Sequence, residues 1–185
     1  MTPPDYLEHV RNSLYLMVDA HMGVLPTEGV GVIQPMIVGI TKKREQMICL
    51  LESIEHRVGA LTMLARKPEI ESLVMIYDGY VTEIDPEKGK GMTRDNLDEY
   101  RKFATFPRQD AILIMTFQRD DPFTIGVDTY RYVRHGVVGL LDSTPSHHDI
   151  TPDQDPRNPY WGVFDPDSPL PPGSALIVVP PPKED

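Results

Sequence analysis

The stretch AILIMTFQRDDPFTIGVDTYRYV, residues 111–133, decides the fold class of this chain. Aliphatic, β-branched and aromatic residues fill two runs, 111–117 and 123–133, and the turn-forming segment QRDDP lies between them. Two strands joined by so short a connection pair antiparallel in a hairpin. The stretch therefore predicts part of an antiparallel β-sheet.

Further strands are predicted on both sides of this hairpin. PMIVGI (35–40) and QMICLL (46–51) form a second predicted hairpin, because only the charged segment TKKRE separates them. SLVMIYDGYV (72–81) is typical of a longer strand, and GVVGLL (136–141) of a short one. The chain thus supplies about five to six strands, mostly in hairpins.

Two helices are predicted among these strands. The first begins near Thr2, a capping residue, and its apolar residues recur at three- and four-residue steps: Leu7, Val10, Leu14, Met17, Val18 and Met22. The second begins at Ser53 and ends before Pro68, and a shorter one is predicted over 95–103. We therefore predict an α+β fold, a single mainly antiparallel sheet of about five to six strands backed by two helices.

The composition of the chain changes near residue 142. Residues 142–185 contain eleven of the nineteen prolines and eight acidic residues, against two basic residues. They also lack most of the apolar periodicity that marks the preceding residues. The sequence predicts a compact domain over 1–141 and a proline-rich, acidic, extended C-terminal arm over 142–185.

Charge and cysteine content limit the classes of partner. A net charge of −10 disfavours a nucleic-acid surface, which binds clustered lysine and arginine. A single cysteine excludes an intrachain disulfide, and the longest apolar runs are too short to span a membrane. We expect a cytoplasmic protein without a cofactor, a nucleic-acid partner or a membrane partner.

The segment TPSHHDITPDQDP (144–156) is the strongest candidate for metal chemistry. His147, His148 and Asp149 have side chains of the types that bind metal ions in hydrolases. Adjacent histidines on an extended chain point in opposite directions, which argues against one shared ion. The spacing favours a turn-rich linker, and a metal site completed by His21 or Asp78 after folding stays open as the alternative.

Polar residues at two predicted strands suggest a ligand cleft. Tyr77 and Asp78 interrupt one apolar strand, and Arg108 and Asp110 open another. A local Arg–Asp pair across neighbouring strands is one interpretation. The other is a small-molecule site at these four residues.

The C-terminal arm contains the best candidate for a protein contact. NPYWGVF (158–164) and the apolar SALIVV (174–179), which lies between proline blocks, would supply aromatic anchors and a short pairing strand. The partner-binding candidates are Tyr160, Trp161, Phe164, Leu176, Ile177 and Val178. Two arrangements stay open: the arm packs on its own domain, or it docks on another subunit or partner.

The sequence favours one function and leaves two alternatives. We expect a non-enzymatic interaction or assembly protein whose arm engages a protein partner or a further copy, which makes a homo-oligomer conceivable. A small metal-dependent hydrolase and a ligand-binding regulatory domain are the alternatives. MIYDGYVTE (75–83) and FPRQDAILIMTF (106–117) loosely resemble stretches of small α+β proteins carried by bacteria and their phages. That resemblance implies no activity.

Overall fold

A single antiparallel sheet organises the chain in the computed structural model, which describes residues 3–21, 33–81, 109–133, 139–140, 144–153 and 158–165. Its strands are β1 (Met36–Thr41), β2 (Gln46–Leu50), β3 (Ile70–Val81), β4 (Gln109–Gln118), β5 (Ile125–Val133), β6 (Gly139–Leu140) and β7 (Ser146–Ile150). The order across the sheet is β2-β1-β3-β4-β5-β6, and β7 also pairs with β5. The predicted α+β fold and both predicted hairpins are confirmed.

The alternation of side chains along the strands gives the sheet two apolar faces. Even-numbered residues such as Val74 and Ile114 point to one face, and odd-numbered residues such as Met75 and Met115 point to the other. Both faces are buried, which explains why β3 and β4 read as nearly continuous apolar runs.

Helix α1 (Pro3–His21) covers the even-numbered face. Leu7, Val10, Leu14 and Val18 are buried at the spacing that the sequence predicted. They pack against residues of four strands: Val38, Ile40, Val74, Ile76, Ile112, Ile114, Tyr130 and Tyr132. In the part of the chain that the structure describes, no helix is both long and apolar enough to cross a membrane.

Helix α2 (Arg57–Ala65) covers the odd-numbered face, so the two helices lie on opposite sides of the sheet. A single 3-10 turn (Ile54–His56) precedes it, and the Ser53 hydroxyl accepts a hydrogen bond from the Glu55 amide at 3.2 Å. Ser53 thus caps the helical segment, as the sequence predicted. The helix predicted over 95–103 lies outside the described residues.

The described parts of 142–185 pack on the domain, so the change of composition near 142 does not mark the end of the sheet. Strand β7 pairs with β5, and Tyr160, Val163 and Phe164 are buried against the face that α2 covers. Composition missed β7 because its side chains are mostly exposed and so follow no apolar pattern. Residues 166–185 lie outside the residues that the structure describes.

Candidate functional site

Strand β2 forms one edge of the sheet and exposes apolar side chains there. It pairs with β1, and no other described strand lies along its outer side. Ile48 is 63 % exposed and Leu50 is 56 % exposed, on the face that α1 covers elsewhere. Neither a charged residue nor a proline interrupts the strand. Those are the features by which soluble proteins usually block an edge.

The turn before β2 fixes which backbone groups face outward. Arg44, at φ 66°, closes the turn with a 2.8 Å hydrogen bond from its amide to the Thr41 carbonyl. The Thr41 amide donates to the Glu45 carbonyl at 3.0 Å, and the Leu51 amide donates to the Pro35 carbonyl at 2.8 Å.

Hydrogen-bonded positions alternate along an antiparallel pair, so Met47 and Cys49 direct their N–H and C=O groups toward β1. The same groups of Gln46, Ile48 and Leu50 therefore point away from the sheet. The exposed apolar side chains and the outward backbone groups belong to the same residues.

Opposite charges flank the edge strand. Lys42, Lys43 and Arg44 lie exposed in the turn before β2. Glu52 and Glu55 lie exposed just after it. Glu45, also exposed in this turn, offsets one of its three positive charges, so the turn before β2 carries a net charge of +2 (3 − 1) and the two acidic residues follow the strand.

Other exposed apolar side chains are scattered over the molecule. Among the described residues, the large ones are Leu16 on α1, Tyr80 on β3, Phe123 in the turn before β5, and Val133 at the end of β5. Scattered apolar side chains are normal on protein surfaces. Strand β2 differs because it combines two such side chains with outward backbone groups, an arrangement that binds another β-strand.

A polar network centred on Asp128 lies under α1. Asp128 is 1 % exposed on β5, and its Oδ2 accepts hydrogen bonds from Arg11 Nε at 3.1 Å, Arg11 Nη2 at 2.7 Å and the Tyr15 hydroxyl at 2.8 Å. Its Oδ1 lies 2.5 Å from Nδ1 of His147 on β7. The network joins α1 to β5 and β7.

The network shifts the proton affinity of two side chains. Burial and the hydrogen bond to Asp128 raise the pKa of Tyr15 to about 12. Burial opposes the charge of Arg11, but the hydrogen bond and the charge of Asp128 outweigh it and raise the pKa of Arg11. Both shifts favour the protonation states in which these side chains donate to Asp128.

The predicted metal ligands do not converge in the described structure. His147 Nδ1 faces Asp128, and its Nε2 lies 3.3 Å from Asp149 Oδ1, so the two carboxylates flank opposite sides of the ring. His148 is the next residue of β7 and points to the other side of the strand. Among the residues that the structure describes, no three His, Cys, Asp or Glu side chains are placed to hold a metal ion.

The predicted ligand cleft is divided between the two faces of the sheet. The Tyr77 hydroxyl donates to the Met115 sulfur at 3.6 Å on the side of α2. Asp78 lies on the side of α1, where its Oδ1 accepts from the Tyr132 hydroxyl at 2.6 Å. Asp110 shares that side and lies opposite Tyr80. The fourth predicted residue, Arg108, lies outside the described residues.

A cavity of about 220 Å³ lies at the opposite end of the sheet from this predicted cleft. Its lining includes Tyr6, Thr41, Lys42, Ser72, Gln118 and Asp120. Tyr77, Asp78 and Asp110, the described residues that suggested a ligand cleft, do not line it.

The aromatic residues predicted to bind a partner pack on their own chain. The Tyr160 hydroxyl accepts from Arg57 Nε at 2.6 Å, and the Arg119 guanidinium lies 4.7 Å from the centre of the Phe164 ring. Trp161 is half-buried at the margin of the same core. This matches the arrangement in which the arm folds back, for these three residues. The other predicted contacts, Leu176, Ile177 and Val178, lie outside the described residues.

Two features of the structure were not predicted from the sequence: the Asp128 network and the edge position of β2. An aspartate inside the apolar run FTIGVDTYRYV was a detectable signal for the Asp128 network. The edge position of β2 left no such signal, because strand order depends on long-range pairing. Comparison with protein-family models, curated proteins and solved structures found no match to this chain.

Proposed function

We propose that this chain is a non-enzymatic assembly protein whose copies associate through the β2 edge. The observation that supports the proposal is the exposure of Ile48 and Leu50 beside the outward backbone groups of the same strand. An added strand would satisfy those groups and cover both side chains at once.

The proposed contact is small, so we expect it to be weak and concentration-dependent. One five-residue strand buries far less area than a standard stable interface. Association also costs translational and rotational freedom. We therefore expect a dissociation constant on the order of 10–100 µM unless a second contact contributes. Residues 166–185, with Leu176, Ile177 and Val178, are our candidate for that second contact.

The proposal includes a cytoplasmic location and no nucleic-acid or membrane partner. The net charge of −10 disfavours binding to nucleic acid or to an anionic membrane. A cytoplasmic location would keep the thiol of Cys49 reduced. The hydrolase and regulatory alternatives have less support, because the described metal candidates do not converge and the cleft candidates lie on two faces.

Sedimentation velocity of the full chain tests the proposed association. The concentrations should run from about 1 to 300 µM, which brackets the expected dissociation constant. We expect the wild type to sediment faster as its concentration rises, and Ile48→Lys to remain monomeric. Phe123→Lys is the matched control, because Phe123 is 64 % exposed and Ile48 is 63 % exposed, but only Ile48 lies on the edge strand.

Far-UV circular dichroism should show that both variants keep the fold. A wild type that stays monomeric over the whole range would contradict the proposal. An equal loss of association in both lysine variants would contradict the role of β2.

A further inference from the structure

We infer that the strand that covers the β2 edge is β2 of a second copy, paired antiparallel about a two-fold axis at Ile48. This inference rests on the proposed assembly function and names the strand that the edge receives. The result would be a closed dimer in which two sheets join into one continuous sheet. In such an isologous contact each copy uses the same surface.

The backbone of β2 is complementary to itself. Its outward groups belong to Gln46, Ile48 and Leu50, which are spaced evenly about the central residue. In an antiparallel pair centred on Ile48, each Ile48 faces the other and Gln46 faces Leu50 of the second copy. Each of these pairs of outward-facing residues then exchanges both backbone hydrogen bonds. A register shifted by one residue or more leaves part of the five-residue strand unpaired.

The exposed side chains meet in the same register. Gln46, Ile48 and Leu50 all point to the α1 side of the sheet. Across the axis, Ile48 would lie beside Ile48 of the second copy, with each Leu50 diagonal to it. Directly opposed and diagonal side chains are the ones that touch in a sheet. The pairing therefore covers the two apolar side chains that the edge exposes.

The charges around β2 favour an antiparallel partner over a parallel one. The turn before the strand holds Lys42, Lys43 and Arg44 beside one acidic residue, Glu45, and so keeps a net positive charge, whereas Glu52 and Glu55 follow the strand. In the antiparallel pair, the basic end of each copy lies beside the acidic end of the other. A parallel pair would place basic beside basic and acidic beside acidic, which repel.

Crosslinking of single-cysteine variants tests the register in the full chain. Cys49→Ser removes the only cysteine, and Gln46→Cys and Leu50→Cys are then made separately in that background. Residues 46 and 50 of different copies would have Cα atoms about 5.5 Å apart, whereas the Cα atoms of two residues 50 would lie roughly 14 Å apart. A short bifunctional thiol reagent such as dibromobimane distinguishes these distances.

We expect covalent dimers when the two variants are mixed and few when either is treated alone. Both variants keep Ile48. As an independent check, Ile48→Cys made in the same background should form covalent dimers when it is treated alone. Two results would overturn the inference and leave the proposed assembly intact. The first is a covalent dimer of Leu50→Cys treated alone. The second is the absence of crosslinks in the mixture, provided that the wild type assembles and Ile48→Lys does not. Dissociation by Ile177→Lys together with failed crosslinking would identify residues 174–179 as the occupant instead. A wild type that never associates would defeat the proposed function itself.

Discussion

Asp128 illustrates how this fold accommodates a buried charge. The carboxylate is 1 % exposed, and the Arg11, Tyr15 and His147 side chains surround it with donors. A buried carboxylate without such partners would cost several kcal/mol of folding free energy. The network therefore offsets the burial and fixes α1 on the sheet beside β7.

His147 and His148 should differ in their contribution to stability, although they are adjacent. His147→Gln removes the imidazole that lies 2.5 Å from Asp128, and we expect it to lower the free energy of unfolding by about 1–2 kcal/mol. His147 is 47 % exposed, so water partly replaces the lost contact. His148→Gln, on the other side of the strand, should change stability by less than about 0.5 kcal/mol. Urea unfolding measures both, and equal losses would show that the Asp128 contact does not stabilise the fold.

Tyr15 should make the stability of the protein sensitive to alkaline pH. Folding raises its pKa from 10.0 to about 12, so the folded state favours the neutral phenol. The stability that this shift supplies is complete below pH 10 and is lost as the pH rises through 12. The difference in unfolding free energy between the wild type and Tyr15→Phe should therefore be constant up to about pH 10 and shrink above it. Denaturant unfolding at a series of pH values measures this, and a difference that stays constant to pH 11.5 would argue against the shift.

At the scale of elements, the residue patterns predicted most of the fold. The α1 stripe, the cap at Ser53 and the strands on both sides of QRDDP all follow from local spacing and turn chemistry. Strand β7 could not be predicted in this way, because four of its five residues are exposed and its pairing with β5 is its main restraint. The aromatic residues of 158–164 were apparent in the sequence, but their position in the core depends on long-range packing that local patterns do not define.

The segment 158–165 should stabilise the domain through Tyr160. Its ring meets Phe117 edge to face at 5.6 Å, and its hydroxyl accepts from Arg57. We expect Tyr160→Ala to lower the unfolding free energy by about 3–5 kcal/mol, and Tyr160→Phe, which keeps the ring, by about 1 kcal/mol. Guanidinium chloride unfolding tests both. A negligible loss in Tyr160→Ala would mean that this segment does not pack on its own domain in solution.

At the scale of the whole molecule, the proposed assembly depends on which strand lies at the edge of the sheet. The QMICLL run reads like any buried strand, and only the sheet order exposes its even-numbered residues. The same global pairing places Asp128 opposite His147. Local sequence supplied the residue types of these sites, but their placement required the assembled sheet.

A dimer about Ile48 would cover the open edge strand of this sheet. An open apolar edge recruits other chains indiscriminately, whereas a closed two-fold pair leaves β2 with strands on both sides. The opposite charges at the two ends of β2 would select the antiparallel partner.

Amide hydrogen exchange along β2 of the full chain, above and below the dissociation constant, tests this central claim most directly. We predict that the outward amides of Gln46, Ile48 and Leu50 exchange slowly at high concentration and rapidly after dilution. Met47 and Cys49, which pair with β1, should stay protected at both concentrations and serve as internal controls. Outward amides that exchange rapidly at every concentration would show that nothing covers the edge. Outward amides that stay protected at dilutions where the chain sediments as a monomer would show that the chain covers its own edge. Either result would contradict assembly through β2.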